Sequence, residues 1–65
     1  MSLETLSRID RKLLRLLQKD ARLTYAELAR QVGLTTTPCK ERVKRLEREG
    51  YIRGYHADLN PEKLG

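Results

Sequence analysis

Apolar residues recur along the first half of the chain with the period of an α-helix. Ile9, Leu13, Leu16 and Leu17 fall on one stripe, with Leu14 on its flank, and predict a first helix over 8–20. Ser7 is placed to cap it, and Asp10, three residues on, suits the positive end of the helix dipole. Thr24-Tyr25-Ala26-Glu27 has the form of a capping box, which predicts a second helix over 25–32. Leu23 can staple onto Leu28 across that cap, and Gly33 supplies the left-handed residue that ends the helix. A third helix is predicted over 36–49, capped by Thr35 or Thr37, with Pro38 in its first turn and Gly50 at its end. Cys39, Val43 and Leu46 form its buried seam.

After Gly50 the pattern changes to period two. Tyr51, Arg53, Tyr55, Ala57 and Leu59 alternate with Ile52, Gly54, His56 and Asp58, as in an extended segment, until Asn60-Pro61 signals a turn. A lone strand leaves its backbone groups unpaired, so its partner is expected in another chain or in sequence beyond this one. The predicted fold class is therefore all-α: a three-helix helix-turn-helix domain of winged-helix-like form over 1–50, followed by an extended β hinge over 51–65.

Composition narrows the chemistry. The length of 65 residues allows one small domain with a thin core. One Cys and one His exclude an intramolecular disulfide and a closed Cys/His zinc site. No nucleophile stands with a base, no glycine loop is built to cradle phosphate, and Asp10 and Asp20 read as helix-end residues, so no enzyme is expected. Cys39 reads as a small packed hydrophobe and His56 as a surface residue. No apolar run reaches the roughly 18 residues that span a bilayer, and Met1-Ser2-Leu3-Glu4 lacks the blocks of a secretory signal. A cytoplasmic location follows as the expectation, with no membrane partner, no metal and no cofactor.

The net charge of +5 is concentrated in two stretches. Residues 8–22 hold six basic and two acidic groups, and residues 40–53 hold six basic and three acidic. They suggest a nucleic-acid footprint or an acidic protein partner, and charge alone balances that evenly against the ordinary solvated Lys/Arg faces of long helices. On the first helix, Arg8, Arg11, Lys12, Arg15 and Lys19 gather on one flank and read as a solvated face.

The third helix tips the balance toward DNA. Opposite its apolar seam it presents Thr37, Glu41, Lys44 and Arg48, flanked by Lys40 and Arg45. The B-DNA major groove, about 12 Å wide, admits one helix held out on two others. Thr35, Thr36 and Thr37 stand at the helix N-terminus, where hydroxyls and free N–H groups suit a phosphate or a base edge. Lys40, Lys44, Arg45 and Arg48 are candidates for phosphates or guanine edges, and Glu41 for a cytosine amino group. The competing reading is a basic helical module docking an acidic protein. The plainer alternative is a surface helix whose Glu41–Arg45 and Arg45–Glu49 pairs serve solubility alone. An RNA duplex is disfavoured, because its deep major groove admits no helix.

Beyond these arguments the chain resembles a known family. Arg8-Ile9-Asp10 through Leu17-Gln18-Lys19-Asp20-Ala21-Arg22, Glu27-Leu28-Ala29 and Val32-Gly33-Leu34 are similar to the opening of the Lrp/AsnC family of regulators. So are Thr37-Pro38-Cys39, Glu41-Arg42-Val43, Arg45-Leu46-Glu47, Gly50-Tyr51-Ile52, Gly54-Tyr55 and Leu59-Asn60-Pro61. The resemblance implies an amino-acid-responsive, bacterial or archaeal transcription factor that binds double-stranded DNA. It places the helix-turn-helix motif at Tyr25 to Lys44 and the recognition helix at about 36–49. It also implies a hinge at 51–59 that pairs with neighbouring strands in a dimer, and a nucleoid-associated location. A ferredoxin-like effector domain that binds an amino acid such as leucine and builds homodimers or higher oligomers is implied beyond residue 65. A chain without that half is expected to be mostly monomeric. Two departures bear on the operator sequence and leave the class untouched. Thr35-Thr36 stands where the family often has Ser-Pro, and Lys40 stands where some relatives are apolar.

Overall fold

The first two helices begin where a hydroxyl residue stands in for missing backbone partners. In the computed structural model, which describes residues 6–57 and 59–64, Ser7 opens α1 (Arg8–Lys19) with a reciprocal cap. The Asp10 N–H donates to Ser7 Oγ at 3.1 Å, and the Ser7 N–H donates to Asp10 Oδ2 at 3.2 Å. Thr24 opens α2 (Tyr25–Val32) in the same way, its N–H donating to Glu27 Oε1 at 2.9 Å. Gly33, at φ 74°, ends α2 in the left-handed conformation, and the Leu34 N–H closes back on the Ala29 carbonyl at 2.9 Å.

Helix α3 runs Thr36–Arg48 with Thr35 at its N-cap. At its far end Gly50, at φ 85°, turns the chain so that the N–H groups of Tyr51 and Ile52 both reach the Leu46 carbonyl, at 3.0 and 3.3 Å. The helices thus sit where periodicity predicts them, with α1 and α3 each one residue shorter at the C-terminus.

The core is small and aliphatic. Leu13 and Leu17 of α1 meet Leu28 and Ala29 of α2 and Cys39, Val43 and Leu46 of α3, all buried. Ile9, Leu16, Leu23, Tyr51 and Ile52 pack around this cluster, half-buried. Helix α3 is therefore one wall of the core along its seam, and its opposite side is left to solvent.

The segment after Gly50 differs from the period-two expectation. No strand forms among the described residues, and Tyr51 and Ile52, predicted on opposite faces, both lie against the core. The cause is the helix-end closure: two successive amides are drawn to one carbonyl, which folds both side chains inward. Asp58, assigned to the extended face, lies outside the described residues. The Asn60-Pro61 turn develops into a single helical turn, α4 (Pro61–Leu64), with Asn60 Oδ1 accepting from the Glu62 N–H at 3.0 Å.

Candidate nucleic-acid interface

The solvent side of α3 carries the chemistry that the sequence pattern proposes. Thr37, Lys40, Glu41, Lys44 and Arg48 are all exposed there, opposite Cys39, Val43 and Leu46. With Pro38, Arg42 and Arg45 they line one shallow hollow along the helix. Thr35 and Thr36 are exposed at its N-terminal end. Unlike Ser7 and Thr24, Thr35 makes no side-chain capping bond, so its hydroxyl is not committed to the helix.

Three contacts fix parts of this face. Lys40 Nζ lies 5.9 Å from the ring centroid of Tyr25, which joins the start of α2 to the second turn of α3. Lys44 Nζ lies 3.9 Å from Glu47 Oε1, a long contact to a half-buried carboxylate that leaves Lys44 exposed. Arg45 does not form the rungs expected with Glu41 or Glu49. Its Nη2 donates instead to Asp10 Oδ2 at 3.0 Å. A fully buried carboxylate holds a guanidinium better than two carboxylates already satisfied by water.

Asp10 is thus more than the cap partner its position suggests. Its side chain is 0% exposed and also accepts from Arg42 Nη1 at 3.3 Å. Burial pushes its carboxyl up, but the Ser7 backbone and hydroxyl, Arg42 and Arg45 outweigh burial and hold it below the ordinary 3.8. Arg42, which the helical pattern did not single out, therefore sits at the same anchor as Arg45. Cys39 is fully buried, and burial raises its thiol. The basic flank of α1, Arg8, Arg11, Lys12, Arg15 and Lys19, is exposed as expected. Among the described residues, no group of three or more side chains is arranged to hold a metal. No helix of the described chain is long and apolar enough to cross a membrane.

Residues 6–53 match a family described as winged helix-turn-helix DNA-binding. The chain is also 59% identical over 59 residues to the leucine-responsive regulatory protein of Escherichia coli, and equally to that of Salmonella typhimurium. The chain belongs to the Lrp/AsnC family. These matches cover 91% of it but only 36% of each relative, so the chain spans about a third of their length.

Solved structures agree with this Lrp/AsnC assignment. An AsnC family transcriptional regulator from Agrobacterium tumefaciens superimposes with a TM-score of 0.85 at 49% identity, over 91% of this chain and 39% of that one. A Neisseria meningitidis transcriptional regulator in complex with L-Met gives 0.87 at 44%, over 91% and 38%. The leucine response regulatory protein of Mycobacterium tuberculosis gives 0.81 at 47%, over 92% and 41%. These Lrp/AsnC relatives are regulators, not enzymes, and none lends support to the acidic-protein reading.

Proposed function

We propose that this chain reads double-stranded DNA in a sequence-specific manner, with α3 lying in the major groove. One observation carries the reading: α3 divides into a buried apolar seam and an exposed basic face. A helix so divided can be presented to a groove without loss of core. In this reading Thr35, Thr36 and Thr37 bring the helix N-terminus to a phosphate or base edge. Lys40, Lys44, Arg45 and Arg48 supply phosphate and guanine contacts, and Glu41 accepts from a cytosine amino group. Residues 1–50 then act as the reading unit, and 51–65 as the hinge to the remainder of a longer regulator.

The relatives' names extend the proposal. Leucine response in some, and a complex with L-Met in another, support an amino-acid effector bound outside this chain. The intact regulator would act as a homodimer or larger oligomer in the cytoplasm, associated with the nucleoid. The 65-residue chain alone would be mostly monomeric and bind one half-site weakly.

Amide NMR titration with a short duplex tests the contact face. The largest shift changes are expected within 35–48, with smaller ones near 24–27. Changes scattered over 8–22 and the hinge would leave only a generic basic surface. Lys44→Ala with Arg48→Ala should weaken binding to any duplex and lower the salt slope by about one per lost phosphate contact. Unchanged binding by that double variant would remove α3 from the mechanism.

A further inference from the structure

Arg42 and Arg45 share an anchor that nothing in the helix pattern required. Arg45 Nη2 meets Asp10 Oδ2 at 3.0 Å, and Arg42 Nη1 meets Asp10 Oδ1 at 3.3 Å and Ser7 Oγ at 3.0 Å. The two guanidinium groups touch the two oxygens of one carboxylate, so they lie side by side. Each bonds through one terminal nitrogen only, while a guanidinium carries five N–H donors. Their side chains remain 34% and 45% exposed, whereas Asp10 is 0% exposed. Both residues line the hollow that also contains Thr37, Lys44 and Arg48.

We propose that Arg42 and Arg45 form a pre-set clamp for one backbone phosphate of DNA, with Asp10 as the positioning residue behind it. Two guanidinium groups and one carboxylate leave a net positive charge at the surface. An isolated arginine loses rotamer freedom when it grips a phosphate. Here Asp10 has already fixed both side chains from the buried side, and Ser7 holds Arg42 as well, which leaves less to lose on contact. Paired N–H edges suit phosphate oxygens, which a guanidinium can engage in two-pronged fashion. The carboxylate is held from α1, so the clamp also sets how far α1 stands from the DNA backbone. This inference rests on α3 being the DNA-facing helix and adds Arg42 and Asp10 to it.

A protein–phosphate coupling experiment tests it. The probe is a short duplex selected by the chain itself from a randomised pool, remade with a neutral methylphosphonate at each backbone position in turn. In the wild-type chain one such replacement is expected to weaken binding roughly tenfold, the scale of a charge-assisted contact. Arg42→Lys and Arg45→Lys keep the net charge, yet each should lose several-fold in affinity and no longer respond to that same replacement. Asp10→Asn raises the net charge by one and should nevertheless weaken binding. Tighter binding by Asp10→Asn, or a full response to the neutral phosphate in the Lys variants, overturns the clamp.

Lys44→Ala with Arg48→Ala separates the two readings. If that pair leaves binding unchanged, the DNA-facing assignment of α3 fails. If it weakens binding while Arg42→Lys does not, only the clamp fails. Should the variants not fold, the side-chain Nε–H resonances of Arg42 and Arg45 in the wild-type chain decide. Both must shift on the natural duplex and return toward their free positions on the critical methylphosphonate duplex; if they do not return, the proposal is wrong.

Discussion

The Tyr55 hydroxyl donates to Glu47 Oε2 over 2.6 Å, tying the segment beyond Gly50 back onto the last turns of α3. Burial and the adjacent Glu47 carboxylate both push the Tyr55 phenol upward, so it stays protonated and donating throughout the physiological range. Tyr55 also closes one side of a mainly apolar cleft that includes Leu17, Tyr25, Leu28 and Val43. Tyr55→Phe keeps the ring over that cleft and deletes only the bond. The expected cost is about 0.5–1 kcal/mol, because Glu47 can turn to water. Denaturant melts measure it, and amide shifts over 53–57 should move toward random-coil values. A variant with unaltered shifts there would mean the bond does not hold the segment.

Acid should loosen the junction of α1 and α3. The Asp10 carboxyl is held below its ordinary 3.8, so its stabilising contribution is complete above that value. It is lost as the pH falls through the still lower native value. Stability followed by thermal melts should therefore decline below about pH 4 in the wild-type chain. In Asp10→Asn that part of the decline should be missing, and the neutral-pH stability should be lower by about 1–3 kcal/mol, since both arginines keep access to water.

Gly33 is needed for its backbone conformation and not for space. Its φ is 74°, and a Cβ built there meets nothing within 4 Å. Gly33→Ala is therefore expected to cost about 1–2 kcal/mol, the strain of an L-residue in the left-handed region. Gly33→Asn should cost less, since asparagine tolerates that region. Equal melting temperatures for the two variants would contradict this account.

Cys39 offers a probe of opening. It is fully buried and its thiol is pushed up by burial, so little thiolate forms in the native state. Its reaction with a maleimide or disulfide reagent should proceed only when the chain opens, at a rate that rises with denaturant in step with unfolding. Rapid labelling under native conditions would show that α3 detaches locally from α1 and α2.

The helices were legible in the sequence because their determinants are local. A capping box spans four residues, and Gly33 acts on the turn it ends, so Thr24, Glu27 and Gly33 announce α2 wherever they occur. The exposed side of α3 was legible for the same reason, since Thr37, Glu41, Lys44 and Arg48 recur at the helical period. The Asp10 anchor was not. Asp10 and Arg45 are 35 residues apart, and no spacing rule joins them. Arg42 in addition fell between the seam and the polar face on the helical wheel. The alternation after Gly50 is a weaker guide, because period two needs a partner strand to be expressed. Without one among the described residues, the amides of Tyr51 and Ile52 turned to the Leu46 carbonyl.

Because the seam and the exposed face of α3 use different residues, the vocabulary of the helix can be rewritten without rebuilding the domain. Thr37, Lys40, Glu41, Lys44 and Arg48 are exposed and none belongs to the buried cluster, so under the proposed reading they can be exchanged to suit a new operator at small cost in stability. Arg42 and Arg45 are different, for through Asp10 they belong to both the face and the packing. A library built on this scaffold should leave those two fixed and vary the other five.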